Sequence, residues 1–116
     1  MGQIVSKEIA VWLRGLDYDE PTRRGYLGDK VLYAEEWDWN TGGDHLYSAP
    51  QINDALNWIA DVKNIPFDFV NLSTDEWRTS IYKYGYIFEA EVIGTRKEAE
   101  AELLKLIYDN KEALGL

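Results

Sequence analysis

Two helix-start patterns with three strand-like stretches between them restrict this chain more than any other feature. Ser48-Ala49-Pro50-Gln51 and Thr95-Arg96-Lys97-Glu98 each put a hydroxyl residue three positions before Gln or Glu. At that spacing two side chains bond two of the backbone N–H groups that a helix start leaves without partners. Between them, residues 67–72, 77–84 and 86–93 are rich in aromatic and β-branched side chains, which suit a pleated, half-buried surface. The order predicts an α-β-β-β-α unit.

Periodicity adds detail. Ser6 caps a first predicted helix running to about Leu16, with Val5, Ile9, Trp12, Leu13 and Leu16 in one arc. Gly15 and the run Asp17-Tyr18-Asp19-Glu20-Pro21 end it. In the second helix Ile52, Ala55, Leu56, Ile59 and Val62 share a face, with Trp58 at its edge. Asn64 and Pro66 stop it. In the last helix Ala99, Leu103, Leu106 and Ile107 form the apolar stripe, with Leu104 and Tyr108 beside it. Alternation puts Phe67, Phe69, Ile81, Phe88 and Val92 on one sheet face and Tyr82, Tyr84, Glu89 and Glu91 on the other.

The expected fold is α+β: an antiparallel sheet of three to five strands with about three helices packed mainly on one face. A length of 116 residues predicts one globular domain. Its core unit is expected over 48–113, and an irregular acidic, Trp-rich segment over 17–47. Within that segment, 30–34 and 36–39 are candidate short strands, and Asn40-Thr41-Gly42-Gly43-Asp44 reads as a turn.

Composition narrows function. The chain has no cysteine, which removes disulfides, thiol catalysis and sulfur-ligated zinc and agrees with a cytoplasmic location. No apolar run approaches the roughly 18 residues of a membrane span, and residues 1–6 lack the basic start of a leader. Twelve basic against 21 acidic residues give a net charge of −9, which disfavours direct binding to a phosphate backbone. Residues 17–47 alone carry eight acids and three bases, net −5.

Several clusters invite a chemical reading. His45, the one histidine, has Asp44 beside it, yet no Ser or Cys nucleophile is tied to it by a motif. Asp17, Asp19 and Glu20 offer carboxylates to a hard cation but lack the spacing of a calcium loop; a solvated turn accounts for them better. Glu89 and Glu91 lie within about 7 Å on one strand face. Paired carboxylates can flank a glycosidic bond, but exposure or pairing with Arg78 or Lys83 explains them more simply. There is no GxGxxG, phosphate loop or HExxH. No enzyme activity, cofactor or metal is expected.

The most suggestive patch is Tyr33-Ala34-Glu35-Glu36-Trp37-Asp38-Trp39-Asn40. Aromatic residues interleaved with acids admit two readings. In one, Trp37 and Trp39 fold back over the core. In the other, Tyr33, Trp37 and Trp39 contact a protein partner, and Glu35, Glu36 and Asp38 steer its basic surface. Tyr82, Tyr84, Glu89 and Glu91 form a possible second surface. Leu104 and Tyr108 on the flank of the last helix offer a homodimer contact.

Asp19-Glu20-Pro21, Ser48-Ala49-Pro50-Gln51, Trp58, Ile65, residues 77–82 and residues 95–106 together form an order of segments that resembles small uncharacterised proteins of gut Bacteroidetes and their phages and mobile elements. The resemblance implies a shared fold and transfers no activity; residues 35–44 depart from it most. The expected function is a non-catalytic protein-interaction module, in its most concrete form a phage or mobile-element accessory protein presenting an acidic surface. The alternative is a binder of a small molecule or nucleotide derivative, with an aromatic pocket between residues 33–47 and the sheet.

Overall fold

The computed structural model describes residues 3–43, 45–83 and 85–116, and of Tyr86 the backbone alone. The chain is α+β, with three helices and six strands among the described residues. The strands form two three-stranded antiparallel sheets rather than a single sheet. Its contacts divide it into two compact units, Gln3–Ala55 and Leu56–Leu116.

The first unit opens with α1, Lys7–Gly15, capped by the Ser6 hydroxyl, which accepts from the Ile9 N–H at 3.3 Å. The helix ends where Asp17 adopts a left-handed φ of 68°. Asp17 N–H then donates to Arg14 O and Tyr18 N–H to Leu13 O, each at 3.0 Å. These two bonds satisfy carbonyls that a helix end leaves open. Residues 17–47, expected to be irregular, hold most of a sheet instead: β1 Thr22–Leu27, β2 Lys30–Trp37 and β3 Leu46–Ser48, in the order β2-β1-β3. The Gly28-Asp29 turn, with Gly28 at φ 58°, joins β1 to β2. Arg14 ties α1 to this sheet: its guanidinium donates to Gly43 O at 2.8 Å and Leu46 O at 2.9 Å, and lies over the Tyr47 ring.

Ser48 does not cap a helix. It is a buried residue of β3, paired with Gly25, and α2 begins only at Ile52 and runs to Val62. The reason is tertiary. Ser48 pairs with Gly25, and Ala49 N–H bonds the Arg24 carbonyl at 2.9 Å, so both residues are held extended against β1. Beyond them Val5 N–H bonds the Pro50 carbonyl at 2.9 Å and Ile52 N–H the Gln3 carbonyl at 2.8 Å. The Ser48 hydroxyl is buried without a hydrogen-bond partner among the described residues.

In the second unit, β4 Phe67–Ser73, β5 Glu76–Lys83 and β6 Tyr86–Ile93 form a meander in the order β4-β5-β6. Lys83 pairs with Tyr86 across a tight turn at Gly85, whose φ is 78°. The register aligns Phe67, Ile81 and Phe88 in one row and Phe69, Thr79 and Ala90 in the next. That face meets α3, Arg96–Asp109, which packs on β5 and β6. The predicted capping box is complete: Glu98 N–H donates to the Thr95 hydroxyl at 3.3 Å, and Thr95 N–H donates to the Glu98 carboxylate at 3.4 Å. Ala99, Leu103, Leu104 and Ile107 are the buried residues of α3. Leu104 thus takes the place expected of Leu106, which is half-buried. Val62, the last residue of α2, is exposed rather than part of the apolar face. Just beyond it, Lys83 Nζ donates to the carbonyls of Lys63 at 2.9 Å and Asn64 at 3.4 Å. No described helix is long and apolar enough to cross a membrane.

Candidate interaction edge

β2 is an edge strand, paired among the described residues only with β1. Its register with β1 runs Leu27–Lys30, Tyr26–Val31, Gly25–Leu32 and Arg24–Tyr33, then jumps to Thr22–Trp37. Between the last two pairs β1 contributes Arg23 and β2 contributes Ala34, Glu35 and Glu36. β2 therefore has a flat half over Val31–Tyr33 and a bulged half that carries the acids. Charges and bulges at an edge discourage uncontrolled strand pairing.

The sequence-predicted patch separates at this strand. Tyr33 is 67% exposed and Trp37 45% exposed, and Glu35 and Glu36 face solvent. Asp38 turns inward to accept the Asn40 N–H at 3.1 Å, capping a short 3-10 turn, Trp39–Thr41. Trp39 leaves the surface: it is 3% exposed and its indole N–H donates to Thr22 O at 3.0 Å. Its ring lies against Gly25, where an added Cβ would stand 2.2 Å from the ring. The Trp37 ring meets Trp39 edge-on, with centroids 4.9 Å apart. Trp39 is therefore a packing residue, and Tyr33, Glu35, Glu36 and Trp37 form the exposed set. Val31, 49% exposed, joins them. The alternation of Val31 and Tyr33 with Leu32 and Ala34 is the signal that could have pointed to it.

The opposite edge of this sheet is closed by side chains. Ser48 N–H, on β3, donates to Asn40 Oδ1 at 3.0 Å, and the Asn40 amide donates to Tyr18 O at 2.9 Å. Leu46 O, also on β3, accepts from Arg14.

Tyr18 is buried, and that burial, reinforced by Asp54, Glu20, Asp19 and Asp38 in that order, pushes its phenol well above the usual value. The folded state thus resists an ionisation that the unfolded chain undergoes near pH 10. Stability is complete below that pH and falls as pH rises through and beyond it. Denaturant melts between about pH 8 and pH 11 should show a steeper alkaline loss in the native chain than in Tyr18→Phe. Equal slopes would overturn this role.

In the second unit, Tyr82, Glu89 and Glu91 are exposed on the sheet face away from α3, and Arg78 lies 3.7 Å from Glu91. Tyr84 lies outside the described residues. The homodimer contact through Leu104 loses its anchor: that side chain is 3% exposed, and Tyr108 is half-buried under the Lys111 ammonium. His45 is exposed, and its carbonyl accepts from Gly28 N–H at 3.4 Å. Among the described residues no three His, Asp or Glu side chains are grouped to hold a metal ion. Comparison of the chain with protein-family models, curated proteins and solved structures finds no match.

Proposed function

We propose that the chain is a non-catalytic protein-interaction module that presents the acidic, aromatic edge strand β2 to a basic protein surface. The observation carrying this reading is the exposure of Tyr33 and Trp37 on either side of Glu35 and Glu36, on an edge strand. Solvent-facing aromatic rings of this kind are the usual anchors of protein interfaces. The neighbouring carboxylates supply attraction and orientation toward Lys and Arg. The net charge of −9 extends that attraction beyond contact distance. The resemblance of segment order to phage and mobile-element proteins supports a role as an accessory protein that engages a host component.

Capture from bacterial lysate tests the reading. The native chain should retain a basic protein at about 50 mM salt and release it by about 300 mM, where screening shortens the reach of charge. The pair Glu35→Lys and Glu36→Lys, both at exposed positions, should fail to retain it while melting at the native temperature. Retention of nothing beyond a blank resin would overturn the reading, and so would equal retention by the charge-reversed chain.

A further inference from the structure

We infer that β2 engages its partner by strand addition: a basic, extended segment of another polypeptide joins the sheet along Val31–Tyr33 as a fourth strand. The inference rests on the reading of β2 as the interaction edge and adds how that edge binds.

The register and one hydrogen bond fix where the backbone points. Arg24 O accepts from Ala49 N–H at 2.9 Å, on the β3 side of β1. Paired residues in an antiparallel ladder alternate between exchanging hydrogen bonds and pointing their backbone groups apart. Arg24 therefore turns its N–H and C=O away from its β2 partner, Tyr33, and Tyr33 turns its own away from β1. Val31, two residues earlier and paired with Tyr26, does the same. These donors and acceptors line the open edge of the sheet, and among the described residues no hydrogen bond reaches them from that side. The contrast with β3 is sharp, since Asn40 and Arg14 occupy its outer groups. One edge is sealed and the other is left as a template.

The chemistry around the template selects the occupant. Glu35 and Glu36 follow directly along β2, within a segment of net −5. Val31 and Tyr33 project exposed apolar surface on one face of the strand. An incoming strand that alternates Lys or Arg with aliphatic residues meets both features. A second copy of this chain fits less well. The register in which Val31 and Tyr33 of one copy pair with Tyr33 and Val31 of another sets Glu35 beside Asp29 at both ends. Strand addition of this type draws affinity from main-chain bonds and specificity from alternate side chains.

The probe is a blocked peptide of about eight residues alternating lysine and valine, long enough to span the flat half of β2. It is titrated into the full chain while the fluorescence of its five tryptophans, of which Trp37 lies on β2, is followed. Saturable binding is expected, about tenfold weaker when alternate peptide nitrogens are methylated, because methylation removes strand donors without altering charge. Val31→Pro, which deletes an outward N–H and no bond to β1, should weaken binding similarly. A glutamate–valine peptide should not bind. Equal affinity for the methylated and unmethylated peptides would overturn strand addition while leaving the acidic edge as an interaction surface. No binding of either basic peptide would also overturn it, and lysate capture would judge the interaction reading separately. Sedimentation of the native chain alone as a dimer that Val31→Pro dissociates would assign the edge to a second copy and overturn the proposal.

Discussion

Gly25→Ala is expected to lower stability by about 2–3 kcal/mol, at the upper end of the cost of overpacking. Gly25 is buried at the middle of β1, flanked by Leu32 and Ser48. An added methyl carbon would stand 2.2 Å from Cδ2 and 2.6 Å from Cε3 of the Trp39 ring. The ring cannot swing away cheaply, because its N–H is bonded to Thr22 O and its edge abuts Trp37. Trp39→Ala should cost about 3–5 kcal/mol through lost burial and the cavity left behind. The double variant should be more stable than the sum of the single losses predicts, since the new methyl enters space that the ring vacated. Denaturant titration of the four chains measures this coupling. Simple additivity would show that Gly25 and Trp39 do not depend on one another, and would remove the explanation offered for a glycine inside a strand.

Leu103→Ala should cost about 2–5 kcal/mol, the range for truncating a buried leucine. Leu103 is fully buried on α3, the helix that packs on β5 and β6. Ile93, also a large aliphatic residue of this unit, is 79% exposed. Ile93→Thr should change stability by no more than about 0.5 kcal/mol. Urea melts of the two variants decide the matter. A small effect at Leu103 together with a large one at Ile93 would invert the assignment of the two sheet faces. The exposed residue adds a practical expectation, since Ile87, Val70 and Leu72 also reach solvent, and an apolar group left in water adds little to folding.

How much of this was legible in the sequence varies from one segment to the next. The β4-β5-β6-α3 sequence could be read closely because each of its signals is local. Thr95 and Glu98 satisfy one another's backbone across three residues, and Ile81 and Phe88 lie opposite each other across a turn at Gly85. The sheet of the first unit was legible only at β2, which runs through the candidate strand over 30–34. β1 carries a glycine in its centre, β3 has three residues, and β2 loses its period of two where Glu35 and Glu36 bulge. The interaction edge was partly legible. Tyr33, Glu35, Glu36 and Trp37 stood out as aromatic rings among acids, but the outward backbone of Val31 and Tyr33 has no side-chain signature.

By itself, then, the chain's order of residues determined the elements whose partners lie a few positions away: α1 behind Ser6, the strands of the second unit, and the cap of α3. Tertiary structure alone decided three things. Ser48, with a capping pattern in good order, became a strand residue because it pairs with Gly25 and its neighbour Ala49 bonds the Arg24 carbonyl, both on a distant strand. The strands of the described residues divided between two sheets. Trp37 and Trp39, two residues apart among the same acids, went one to solvent and one to the interior. Nothing in their own neighbourhood distinguishes them; the bare Cα of Gly25 on another strand gave Trp39 a place to lie.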